Sequence, residues 1–177
     1  MDIFCEQIVK KKKTATEWLT VLGLWLFGWL ITMLLIWFAL LSRVYLPLAF
    51  LGAIGVIYGV MKLSAKFNVE YEYAVTNGLL DVDKITNRSD RKRLISVEVN
   101  TFDTFQEVTG SLGGNDLKNY DKVVMAVADP AAEDKIYSAT FRHPVKGRVL
   151  VVFQPGEKVL TAVQKSLPRN LQARRFG

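Results

Sequence analysis

From Trp18 to Met61 the chain carries almost nothing but apolar side chains, with Arg43 the one charge among them. The run divides in two. Trp18–Leu41 holds 24 uncharged residues, roughly 36 Å as helix, and Val44–Met61 holds 18, roughly 27 Å. Both lengths suit the hydrocarbon core of a bilayer. Ser42 and Arg43, with Pro47 just beyond, leave room only for a tight turn, so the pattern predicts an antiparallel transmembrane hairpin. A cleaved signal peptide has a shorter apolar region, roughly 7–15 residues, and a small-residue cleavage site, and this segment has neither. A soluble hairpin of this composition would have helices apolar all round.

Past Lys66 the hydrophobic period falls from helical to two. In Asn68–Thr76, Val69, Tyr71, Tyr73 and Val75 alternate with Glu70, Glu72, Ala74 and Thr76, the signature of a half-buried strand. Asn77-Gly78 then supplies a type I′ hairpin turn, whose two central positions both need positive φ. Leu79–Thr86 returns as the second strand, Asn87–Arg93 reads as a polar loop, and Leu94–Phe102 resumes alternation. After the short segment Thr104–Val108, the stretch Gly110–Asn115 reads as a flexible loop. Further strands are expected at Lys122–Ala128, Lys135–Arg142 and Arg148–Phe153. Pro155-Gly156-Glu157 opens an amphipathic helix with Val159, Leu160, Val163 and Leu167 on one stripe, closed by Pro168. The expected fold class is thus an α+β membrane protein. A hairpin region (1–66) precedes a small antiparallel β-barrel or sandwich (67–168) capped by the C-terminal helix, and a basic tail (169–177) follows.

Charge adds an orientation. Lys10, Lys11, Lys12, Lys13, Lys62 and Lys66 flank the spans while the connecting turn has only Arg43, which puts both termini in the cytoplasm and the hairpin in a bacterial plasma membrane. The chain has 177 residues and net charge +6. Residues 1–66 hold seven Lys/Arg against three Asp/Glu, and residues 67–177 hold sixteen against fourteen. The basicity therefore belongs mostly to the membrane flanks and gives no ground for a nucleic-acid partner. Cys5 is the only cysteine, so no intramolecular disulfide can form.

Candidate chemistry is sparse. His143, the only histidine, precedes Pro144 at a strand end, where a solvated turn residue is expected. No catalytic set, metal cluster, P-loop or dinucleotide fingerprint can be assembled, which points to a non-enzyme without metal or cofactor. Asp81 with Asp83, and Glu70 with Glu72, share strand faces and read as solvated. Gly52, Gly55 and Gly59 lie within about 60° on the second span and offer a smooth face. That face suits packing on the first span or, as the alternative, a homo-oligomer or larger membrane complex. Lys84, Arg88, Arg91, Lys92 and Arg93 form the one basic cluster with functional promise, for anionic lipid or another anionic ligand.

Four segments carry a resemblance. They are Tyr71-Glu-Tyr-Ala-Val-Thr-Asn-Gly-Leu-Leu-Asp-Val-Asp-Lys-Ile85, Arg91-Lys-Arg-Leu94, Phe153-Gln-Pro-Gly-Glu-Lys-Val-Leu160 and Leu167-Pro168. Together with two preceding membrane helices, they resemble an uncharacterised family of small membrane proteins from Gram-positive anaerobes. The C-terminal domain of that family looks like the bacterial pleckstrin-homology (PH) group. The resemblance covers nearly the whole chain and implies a strongly bent antiparallel barrel capped by a C-terminal helix. It implies no activity. Lys84-x6-Arg91-x-Arg93 also fits the loose basic pattern by which eukaryotic PH domains hold inositol phosphates. The expected function is a binding or scaffolding module for a protein partner at the cytoplasmic membrane face. The alternatives are an anionic-lipid sensor using residues 84–93, or an accessory subunit of a larger complex.

Overall fold

The computed structural model describes residues 4–42, 46–108, 117–129 and 135–173. The expected turn at Arg43 and the expected Gly110–Asn115 loop lie outside them. The chain forms two compact units, residues 12–69 and residues 1–11 with 70–177.

The smaller unit is the helical hairpin, α1 (Ala15–Ser42) and α2 (Leu46–Ala65). Helix α1 starts three residues earlier than the apolar run because Thr14-Ala-Thr-Glu17 is a capping box. The Glu17 carboxylate accepts from the Thr14 backbone N–H at 2.9 Å, and the Trp18 N–H bonds the Thr14 carbonyl at 2.9 Å. The helices run antiparallel, with Gly28 against Val56 and Val60 and Gly52 against Leu35.

The larger unit contains a strand that the sequence reading assigned to the N-terminal region. β1 (Phe4–Lys10) pairs antiparallel with β2 (Val69–Thr76), with Phe4 opposite Thr76 and Lys10 opposite Glu70. The hairpin is therefore an insertion between two paired strands, and the boundary expected at residue 66 does not divide the chain. The run Lys10–Lys13 hides this strand in the sequence, because it draws the segment into the basic flank of the span.

β3 (Leu79–Thr86) and β4 (Asp90–Glu98) complete the first sheet in the order β1-β2-β3-β4. Asn77 (φ 48°) and Gly78 (φ 86°) make the expected I′ turn. A second turn with two positive φ values, Asn87 (53°) and Arg88 (58°), joins β3 to β4. The polar segment Asn87–Arg93 is thus a tight turn followed by strand, and its charges are cross-strand partners. A register shift between Val82 and Asp83 bends the ribbon.

The second sheet has the order β5-β7-β8-β6, from β5 (Thr104–Glu107), β6 (Lys122–Ala126), β7 (Tyr137–His143) and β8 (Gly147–Phe153). β6 runs parallel to β8, so the all-antiparallel expectation fails there. Among the described residues the two sheets do not close into a barrel. Between them lie Tyr73, Leu80, Val82, Ile95, Phe141, Val151 and Phe153, all at most 1% exposed. Tyr73 meets the Phe153 ring edge-on at 5.8 Å, and its hydroxyl donates to the Ala126 carbonyl. Burial pushes that hydroxyl far above its ordinary pKa, so it stays a neutral donor.

The amphipathic helix α3 (Glu157–Ser166) buries Val159, Ala162 and Val163. Its N-terminus is tied to β1, where Gln7 Oε1 accepts from the Gly156 N–H at 2.6 Å. The expected tail continues as a short helix α4 (Arg169–Ala173).

Candidate functional site

The five basic residues singled out from sequence do not form one cluster. Alternation along β3 and β4 sends Asp83 and Arg93 to one side of the ribbon and their neighbours Lys84 and Lys92 to the other. On the first side every arginine meets a carboxylate. Arg93 Nε donates to Asp83 Oδ1 at 3.0 Å and its guanidinium reaches Asp81 at 3.3 Å. Arg91 pairs with Glu72 and lies 4.0 Å from Asp83. Arg88, in the turn, sits 3.7 Å from Glu70. The acidic pairs expected to be solvated are thus the partners of the arginines, arranged as a ladder across β2, β3 and β4.

Two carboxylates of the ladder are buried, Glu72 at 5% exposed and Asp83 at 4%. At Glu72, burial raises the carboxyl above the ordinary value; Arg91 opposes that shift, and Glu6 and Asp83 add to it. Arg93 is held more firmly protonated, first by its hydrogen bond to Asp83 and then by the charges of Asp81 and Asp83. A guanidinium held by two carboxylates has little capacity left for an external anion. The arginines of this sequence pattern are paired with carboxylates of the same sheet.

On the other side Lys84 and Lys92 face each other across the ribbon. The Lys122 ammonium donates to the Leu94 carbonyl at 3.4 Å. Burial, then the neighbouring charges of Lys146 and Lys92, push Lys122 below its usual pKa. Lys146 is carried by the β7–β8 turn, whose shape follows from two contacts. His143 Nδ1 accepts from the Val145 and Lys146 N–H groups at 3.1 and 3.3 Å, the turn role expected for it. Gly147 takes φ 69°, and an added Cβ would collide with the Asp121 carboxylate, whose Oδ2 accepts from the Arg148 N–H at 2.8 Å. Lys122, Lys146, Gly147 and Asp121 were not singled out from sequence. They join only through β6–β8 pairing, which no local pattern announces.

A groove of about 600 Å³ lies between β5 and the C-terminal helices, lined by Phe105, Gln106, Tyr137, Gln164, Leu167 and Leu171 among others. β5 ends its sheet among the described strands.

The helix-packing glycines are also redistributed. Gly52 is an approach point, since a Cβ there would lie 3.4 Å from Leu35. Gly55 and Gly59 have nothing within 4 Å, so they do not make the expected hairpin contact. The tightest approach is at Gly28 on α1, where a Cβ would come within 2.6 Å of Val60 Cγ2. There branched side chains of α2 fit into a hollow on α1, so the expected arrangement holds at Gly52 and is reversed at Gly28.

A family model described as bacterial PH-like domain (DUF6106) matches residues 1–173. The chain belongs to this family. No curated protein and no solved structure matches it. The match runs through the hairpin, as the topology requires, because the first strand of the PH-like sheet precedes α1 and the second follows α2. Both helices of this PH-like protein are long and apolar enough to cross a membrane.

Proposed function

We propose that this PH-like protein is a non-enzymatic, membrane-anchored binding module. Its hairpin spans the bacterial plasma membrane, and its β unit faces the cytoplasm to engage a protein partner. The observation that carries this reading is the pairing of β1 with β2 across the inserted hairpin. Strands that share hydrogen bonds must lie on the same side of any membrane, so the chain has to enter and leave on one side, which supports two spans. Three further features agree. Only 11% and 17% of the most apolar windows of α1 and α2 are covered within the protein, unlike the core helices of soluble domains. Lys13 lies 5.8 Å from the Trp18 ring and Lys62 lies 5.5 Å from the Tyr58 ring. They place paired cationic and aromatic groups at the same end of the antiparallel hairpin, the pattern of a cytoplasmic interface.

For the partner, the groove beside β5 offers apolar anchors next to an edge strand, the combination that receives an extended peptide segment. Gly55 and Gly59, open on α2, support a second reading as an accessory subunit that packs a further helix there.

The test uses single cysteines in a Cys5→Ser background and a membrane-impermeant maleimide on intact cells. Cysteines at Lys12 and Lys66 should both stay unlabelled until the cells are opened. Labelling of either one in intact cells would overturn the topology. A photo-crosslinker at Leu171 should give one discrete adduct that a crosslinker at Arg142 does not; identical patterns would remove the groove from the reading.

A further inference from the structure

We propose that Lys84, Lys92, Lys122 and Lys146 form a binding site for a phosphate group, carried either by a lipid headgroup or by a soluble phosphate compound. The site is independent of the protein-partner groove. Its four ammonium groups come from separate places in the sequence and both sheets. Lys84 and Lys92 are cross-strand partners on the first sheet. Lys122 opens β6 of the second sheet and reaches the first sheet at the Leu94 carbonyl, 3.4 Å away. Lys146 joins from the turn entering β8, the strand that pairs with β6.

What distinguishes this cluster is the absence of neutralisation. Among the described residues, the side-chain ion pairs take Arg88, Arg91, Arg93 and Lys135, and none of these four lysines. Lys84, Lys122 and Lys146 are nevertheless half-buried. The carboxylate of Asp121 keeps its charge while accepting from the Arg148 backbone N–H, and among the described residues it makes no ion pair with any of the four. Like charges gathered and partly desolvated oppose folding unless something offsets them. Three features limit drift of the groups: the β3–β4 register, the Lys122–Leu94 contact, and the His143- and Gly147-dependent turn. Ammonium groups hold phosphate as point charges and demand no bidentate geometry, so the site reads phosphate charge more than ligand shape.

The experiment uses the full chain in neutral detergent with two probes, inorganic pyrophosphate and phosphatidylglycerol added to the micelles. Lysine reactivity is measured residue by residue by acylation and mass spectrometry. The site is supported if either probe protects Lys92, Lys122 and Lys146 at least threefold more than Lys158 and Lys165 on α3. Protection by pyrophosphate assigns a soluble source, and protection by phosphatidylglycerol alone assigns a lipid. The triple variant Lys92→Ser, Lys122→Ser, Lys146→Ser should bind the effective probe at least tenfold more weakly. Arg91→Gln should change that affinity less than threefold. Should the triple variant misfold, footprinting of the unaltered chain decides. Absence of protection by both probes, equal protection on α3, or unchanged affinity of a folded triple variant would overturn the site.

Discussion

The two sides of the β3–β4 ribbon carry cations of similar number in opposite electrostatic states. On one side Arg88, Arg91 and Arg93 are matched by Glu70, Glu72, Asp81 and Asp83. On the other, Lys84 and Lys92 are joined by Lys122 and Lys146, and among the described residues no carboxylate forms an ion pair with any of them. A basic run in a strand is therefore two half-runs, and each has to be judged by what its own side of the sheet presents. The matched side is a structural device, in which removing a cation exposes a buried acid. The unmatched side stores repulsion that a ligand can relieve.

The largest effect is expected where the unmatched side is built. Gly147→Ala should cost about 2–3 kcal/mol, from the left-handed backbone and the collision with Asp121. In an Asp121→Ala background the same change should cost about 1 kcal/mol less, because the collision is gone. Chemical denaturation of the four proteins measures this, and strict additivity would mean the carboxylate does not shape the turn.

Next comes the matched side. Arg91→Met should destabilise by about 1–2 kcal/mol, moderated because Arg91 is itself 55% exposed. The cost arises at Glu72, left buried beside Glu6 and Asp83. Adding Glu72→Gln should restore most of it. A single-variant denaturation midpoint equal to wild type would reduce the ladder to decoration.

Lys122→Met is the mirror experiment, with the opposite sign. It removes a half-buried charge repelled by Lys146 and Lys92, so stability should stay level or rise by up to about 0.5 kcal/mol. A loss as large as that of Arg91→Met would erase the distinction between the two sides.

The smallest effect is in pH dependence. The folded-state pKa of Glu72 lies above its ordinary 4.5. Its contribution to stability is therefore present below that ordinary value and lost as pH rises through the raised one. Relative to Glu72→Gln, wild type should lose stability as pH rises above the ordinary carboxyl value of 4.5. A difference that stays flat, or grows with pH, would mean that Arg91 outweighs burial.

Some of this was legible along the chain. The two apolar helices and the Asn77-Gly78 turn are local facts, set by run length and by the positive φ that only a few residues tolerate. The amphipathic α3 follows from a 3.6-residue period, and the family from segments quoted in order. Other features depended on distant partners. The Phe4–Lys10 strand is visible only once β2 is in place beside it, some sixty residues on. The parallel β6–β8 pair, the arginine ladder and the lysine cluster all depend on which strands become neighbours. The sequence by itself determined that two helices of membrane length are followed by a β-rich region, because periodicity and turn chemistry act within a few residues; the PH-like family came from the resemblance of the quoted segments. Only the tertiary structure decided which of the described basic residues pair with carboxylates and which do not, because electrostatic pairing is settled across strands, where register and side of sheet choose the partners.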